Sequence, residues 1–89
     1  MRLGELADIA NDSEVTGFAL DHRQVAPGNI FGAFRGARFN GEDFVGEAIA
    51  RGAIAVVARG DATVAGAAHI ASAEPRKTFA DLAARFFAP

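Results

Sequence analysis

Residues 40–58, NGEDFVGEAIARGAIAVVA, set a helix signal directly before a buried-strand signal, and that succession decides the fold class. Asn40 is a cap residue, Glu42 and Asp43 sit in the first turn where the helix dipole favours acids, and Gly52 suits the stop. Between them Phe44, Val45, Ala48 and Ile49 make one apolar stripe at helical spacing. Residues 53–58, AIAVVA, then run apolar without alternation, the pattern of a strand covered on both faces. A helix leading into such a strand is a crossover unit of an α/β sheet.

Working upstream, residues 35–41, RGARFNG, combine glycines, arginines and an asparagine and predict an exposed loop. A short strand over 30–34 precedes it, and Pro27-Gly28 presets the tight turn before that strand. Residues 15–20, rich in β-formers and bounded by Asp12, Ser13 and Asp21, predict the first strand, with Gly17 as a weak point. Leu3, Leu6, Ala7 and Ala10 recur at helical spacing and predict a short opening helix. Downstream, residues 59–66 are polar and glycine-containing, 67–71 form another short strand, and Pro75 opens a final helix. Its stripe of Phe79, Leu82, Ala83, Phe86 and Phe87 is strongly amphipathic. Strands and helices alternate, which predicts a three-layer α/β domain.

At 89 residues the chain has room for one core. It is 51% hydrophobic and 22% charged, so it can offset chain entropy; the eight phenylalanines are expected to supply a large share of the buried surface. A net charge of −2 with one lysine, Lys77, provides no basic stripe for a nucleic-acid backbone. The longest apolar run, residues 53–58, is far short of the ~20 needed to span a membrane. The first ten residues carry two acids and do not read as a secretory signal, and cysteine is absent, which rules out thiol chemistry and fits a reducing cytoplasm.

Catalytic groupings are missing. No glycine-rich loop ends in lysine and a hydroxyl residue, the arrangement that cradles nucleotide phosphates. His22 and His69 lack the spacing of zinc ligands, and His69 reads as a satisfied or surface histidine. Ser13 and Ser72 sit where hydroxyls cap element ends. Asp43 and Glu47 are one turn apart on the exposed side of their helix and read as a solvated face; Asp21 and Arg23 read as a turn-stabilising pair.

Residues 20–36, LDHRQVAPGNIFGAFRG, followed by 37–58, ARFNGEDFVGEAIARGAIAVVA, resemble the amino-terminal domain shared by MurE and MurF ligases. That family shows a similar order: Asp-Ser-Arg, a Val-x-x-Gly turn, a Phe-x-Ala strand, then Asp-Gly, an aromatic, and a helix ending in Gly-Ala. The tail EPRKTFADLAARFF, residues 74–87, looks like the MurE version, so that nearly the whole chain is covered. Two positions depart from the pattern: His22 stands where serine is usual, and Asn40 where aspartate is usual.

The resemblance implies a three-layer α/β/α domain with a small mixed sheet, residues 1–89 forming one substrate-binding domain. It implies that the domain holds the UDP end of UDP-N-acetylmuramoyl-L-alanyl-D-glutamate in the cytoplasm. ATP and Mg2+ would be used by a central ATPase domain of the same polypeptide, to add an amino acid such as diaminopimelate. Carried over one by one, the uracil and diphosphate contacts fall on Leu20, His22, Ala37, Arg38 and Phe39. Phe39 would cover a uracil face, Arg38 would offset diphosphate charge with its forked donors, Ala37 would offer backbone groups and a methyl, and His22 would donate a ring N–H to a phosphate oxygen or point to solvent. The alternatives are a MurF-type domain and a free-standing interaction module that packs the exposed end of the last helix on another protein.

Overall fold

The computed structural model describes residues 1–7, 9–36 and 40–88. Its elements follow in the order α1 (Leu3–Ala7), β1 (Gly17–Ala19), a 3-10 turn (His22–Gln24), β2 (Asn29–Gly32), a second 3-10 turn (Gly41–Phe44), α2 (Val45–Ala50), β3 (Ala55–Ala58), β4 (Ala68–Ala71) and α3 (Pro75–Phe87). The four strands form one sheet in the order β1-β2-β3-β4, and every pairing is parallel, with Phe18 beside Ile30, Phe31 beside Val56 and Val56 beside His69. The expected α/β class holds, but the sheet is not mixed. Among the described residues, antiparallel pairing is confined to an isolated bridge between Arg2 and Glu14, outside the sheet.

Parallel neighbours in chain order, each reached by a crossover of the same hand, put all the crossovers on one face of the sheet. The packing agrees. Val25 from the first crossover, Val45 and Ala48 from α2, and Ala62 and Val64 from the third all pack with Phe31, Val56 and Ala58. The opposite face is left for the two elements outside the crossovers, α1 and α3, which bring Leu3, Leu6 and Leu82 against Ile30, Ala55 and Val57. Arg85 of α3 donates to the Leu6 carbonyl at 3.2 Å and ties these two helices together. The domain therefore has three layers, and β2 and β3 are buried at every residue.

Phenylalanine supplies less of the deep core than composition suggests. Phe31 is completely buried together with Leu3, Leu6, Ile30, Val56 and Val57, whereas Phe87 is 69% exposed. Phe18 instead anchors an aromatic cluster along α3, with Phe79 and Phe86 edge-on at 5.4 and 5.5 Å.

The helix expected from Asn40 to Gly52 forms in two pieces. The Gly41 N–H donates to the Phe34 carbonyl at 2.7 Å, which pulls the first turn tight against the end of β2, and α-helical geometry starts at Val45. Asn40 caps this turn as expected, its side chain accepting from the Glu42 N–H at 3.1 Å. At the other end Gly52 has φ +111°, and a Cβ there would meet the Pro27 Cα at 2.6 Å, so both its conformation and its surroundings call for glycine. The first strand is also shorter than residues 15–20: Val15 donates to the Met1 carbonyl, and pairing with β2 begins at Gly17.

Candidate functional site

Because all the strands are parallel, their carboxyl ends share one edge, and the loops leaving that edge begin at Leu20, Ala33, Arg59 and Ser72. This is where an open parallel sheet places a ligand, most of all where successive loops turn to opposite faces. The loops after β1, β2 and β3 all turn toward the α2 face. The loop after β4 turns to the other face to start α3. The divergence lies between β3 and β4.

Leu20 follows β1 and is 57% exposed at this edge. Asp21 caps the adjoining turn and grips Arg23 as expected: one carboxylate oxygen accepts from the Arg23 N–H at 2.9 Å and Nε at 3.0 Å, the other from Nη2 at 2.9 Å. These bonds to the Arg23 side chain and then its backbone hold the Asp21 carboxyl down to about 2.

His22 does not point to solvent. Its ring is buried, stacked on Phe44 at 4.1 Å with an interplanar angle of 5°, and Nε2 lies 3.2 Å from the Glu47 carboxylate. The imidazole thus braces the first crossover against α2, and Glu47 has a partner that the reading of a solvated face did not give it. Ala37, Arg38 and Phe39 lie outside the described residues. The ends of their loop are fixed: Gly41 is bonded to Phe34, and Arg35 donates to Glu42 at 2.8 Å and to Asp61 at 2.7 Å, linking the loops after β2 and β3.

Two crevices flank the divergence. One, of about 380 Å³, is lined by Phe34, Arg35, Arg59, Glu74, Pro75, Arg76 and Lys77. The other, of about 430 Å³, lies among Arg59, Gly60, Asp61, Ala71, Ser72 and Ala73. Arg59 borders both. The sequence reading singled out neither Arg59 nor Arg76 as a site residue. A usable signal was present: α3 carries no acid in its first turn, and Arg76 and Lys77 stand at the end of the helix where the dipole disfavours cations. Ser72 is a structural hydroxyl, as expected, accepting from the Glu74 N–H at 3.0 Å and bonding Thr78 Oγ1 at 2.7 Å. His69 Nε2 lies 3.0 Å from the Arg59 carbonyl. Among the described residues no group of three or more His, Asp or Glu could hold a metal ion, and no helix is long and apolar enough to cross a membrane.

Residues 14–86 match a family model described as "Mur ligase family, catalytic domain". Curated relatives include the UDP-N-acetylmuramoyl-L-alanyl-D-glutamate--2,6-diaminopimelate ligase of Zymomonas mobilis, 55% identical over 78 residues, which are 88% of this chain and 16% of the relative. The ligase of the same name from Bradyrhizobium diazoefficiens is 47% identical over 76 residues, 83% of this chain and 15% of the relative. That from Solibacter usitatus is 42% identical over 82 residues, 92% of this chain and 17% of the relative. The chain thus spans about a sixth of the length of these relatives. Among solved structures, crystal structure I of MurF from Acinetobacter baumannii superposes with a TM-score of 0.67 at 24% identity, covering 89% of this chain and 18% of that one.

Proposed function

Since the chain belongs to the Mur ligase family, we propose that it is the amino-terminal domain of a diaminopimelate-adding, MurE-type ligase of peptidoglycan synthesis, and that it holds the UDP end of UDP-N-acetylmuramoyl-L-alanyl-D-glutamate in the cytoplasm. The observation that carries this reading is the 55% identity to a ligase named for that substrate, over 88% of the chain. The open carboxyl edge of the parallel sheet supports it.

In this reading Leu20 and the backbone at His22 form one wall of the nucleotide site, and Ala37, Arg38 and Phe39 form the other. Phe39 covers the uracil and Arg38 forks onto the diphosphate. The His22 side chain acts through position: stacked on Phe44, it fixes the turn that presents Leu20. The residues present do not fit the ATP chemistry of ligation. Lys77 is the single lysine and follows Arg76, not a glycine, so the chain has no phosphate loop. ATP and Mg2+ belong to a central domain of the same polypeptide. The role of the present domain is to anchor the remote end of the substrate, so that binding energy gained at the nucleotide orients the distant reacting carboxylate.

Isothermal titration of the 89-residue chain with UDP tests this. We expect saturable binding with a Kd on the order of 1 mM or tighter, about 4 kcal/mol or more, and no hydrolysis of ATP. Absence of binding at ten millimolar UDP would remove the nucleotide from the account.

A further inference from the structure

The ring of His22 lies between two carboxylates that belong to different parts of the fold. Nε2 is 3.2 Å from Glu47 of α2, and Nδ1 is 3.9 Å from Asp21, the cap of its own turn. Phe44 of the second 3-10 turn covers one face of the ring at 4.1 Å. The His22 side chain is 9% exposed and that of Glu47 60%, so the helix reaches the shielded imidazole from the surface. The turn that carries the ring starts directly after Leu20 and ends at Val25, which is fixed in the core.

Histidine is the side chain whose ordinary titration falls between about pH 5 and 8. Protonated, the ring has a donor on each nitrogen and a positive charge, and it answers both carboxylates at once; neutral, it keeps one N–H and answers one of them. Asp21 does not take up the proton in this range, because its bonds to the Arg23 side chain and backbone hold its carboxyl down to about 2. The arginines at the junction stay charged throughout: Arg23 is gripped by Asp21, and Arg51, just past α2, donates to the Arg23 carbonyl at 3.4 Å. On the second 3-10 turn Glu42 is paired with Arg35, and Asp43 is exposed.

We propose that His22 and Glu47 form a proton-operated latch on the nucleotide site. With the ring protonated, the latch draws the His22–Gln24 turn onto α2 and fixes Leu20 at the carboxyl edge of the sheet; loss of the proton as pH rises loosens that wall. Glu47 is a positioning residue in this device, since it touches His22 and reaches the ligand only through it. That the ligand carries UDP rests on the function proposed above; the coupling of the turn to the ring does not.

The test has two arms. In the first, ring and amide signals of the free 89-residue chain are followed by NMR from about pH 5 to 8. The amides of residues 20–24 are expected to move with the midpoint of the His22 ring and not with that of His69, which lies on the Arg59 carbonyl. Glu47→Gln should lower the His22 midpoint and shrink the amide response. Asp81→Asn, which removes a carboxylate paired with Lys77, should do neither. Amides that ignore the His22 midpoint, or identical behaviour of Glu47→Gln and the native chain, would overturn the latch. In the second arm, affinity is measured over the same range for UDP-N-acetylglucosamine, whose doubly esterified diphosphate does not itself titrate there. The native chain and Asp81→Asn should lose roughly threefold from the acid to the alkaline end, the scale of a half-exposed ion pair. Glu47→Gln should give a flat profile, as should His22→Phe, which keeps a ring on Phe44 without the proton. Equal slopes in all four chains would overturn control of the site by the latch and leave the nucleotide reading standing. No binding by any chain at any pH would remove the nucleotide reading and the control of affinity with it, and the first arm then decides the latch alone. Dispersed spectra establish that the variants are folded.

Discussion

His22 shows how a residue's place can be legible while its task is not. Its position just past the first strand follows from the β-former run and the Asp21 boundary, and the structure places it at the start of the 3-10 turn that follows β1. What the ring touches depends on the packing of the second 3-10 turn and α2, whose Phe44 and Glu47 face it from more than twenty positions along the chain. No local pattern encodes that contact. Asp21 is the simpler case, because its partner Arg23 is two residues away. Its carboxyl is depressed from 3.8 to about 2, so its contribution to the turn is complete above pH 4 and is lost as pH falls through about 2. In Arg23→Gln the Asp21 carboxyl should titrate closer to 3.8, as read by carboxyl-carbon NMR; an unchanged midpoint would mean that the guanidinium is not the cause. Gly52 supplies a stability test. Gly52→Ala must force a Cβ against Pro27 at positive φ, and we expect a loss of roughly 1–3 kcal/mol in urea unfolding.

Elements were read well where periodicity was long and poorly where tertiary contacts cut it short. The stripe from Phe79 to Phe87 and Pro75 at the start predict α3, and the helix spans Pro75–Phe87. The segment from Asn40 to Gly52 carries equally good cap and stop signals, but its first turn is bonded to Phe34 and tightens into a 3-10 turn. Chain pattern cannot show such a bond. Within α3 the stripe is also unequal: Leu82 is buried against the sheet and Phe87 is open to solvent. Leu82→Ala should cost about 2–4 kcal/mol by lost burial and cavity formation, whereas Phe87→Ala should stay within about 1 kcal/mol. Comparable losses at both positions in denaturant unfolding would contradict the packing described for this helix.

At the scale of the whole molecule, alternation of strands and helices was enough to give three layers. The direction of every strand was not, because strand pairing is non-local and a run such as AIAVVA reads the same in a mixed or a parallel sheet. The parallel order matters for function. It gathers Leu20, Ala33, Arg59 and the start of α3 at a single edge, leaving the turns at Pro27 and Gly52 at the opposite one. Much of the proposed nucleotide wall was visible through family resemblance, while the arginine crevice emerges only when the loops after β3 and β4 are seen to part. The most direct test of a nucleotide-holding carboxyl edge is therefore a map of UDP on the chain's amide spectrum. Saturable shifts at Leu20, His22 and residues 35–41, with Gly28 and Gly52 unmoved, are the expected result; no shifts at saturating millimolar UDP, or shifts gathered at the Gly28 and Gly52 edge, would contradict it.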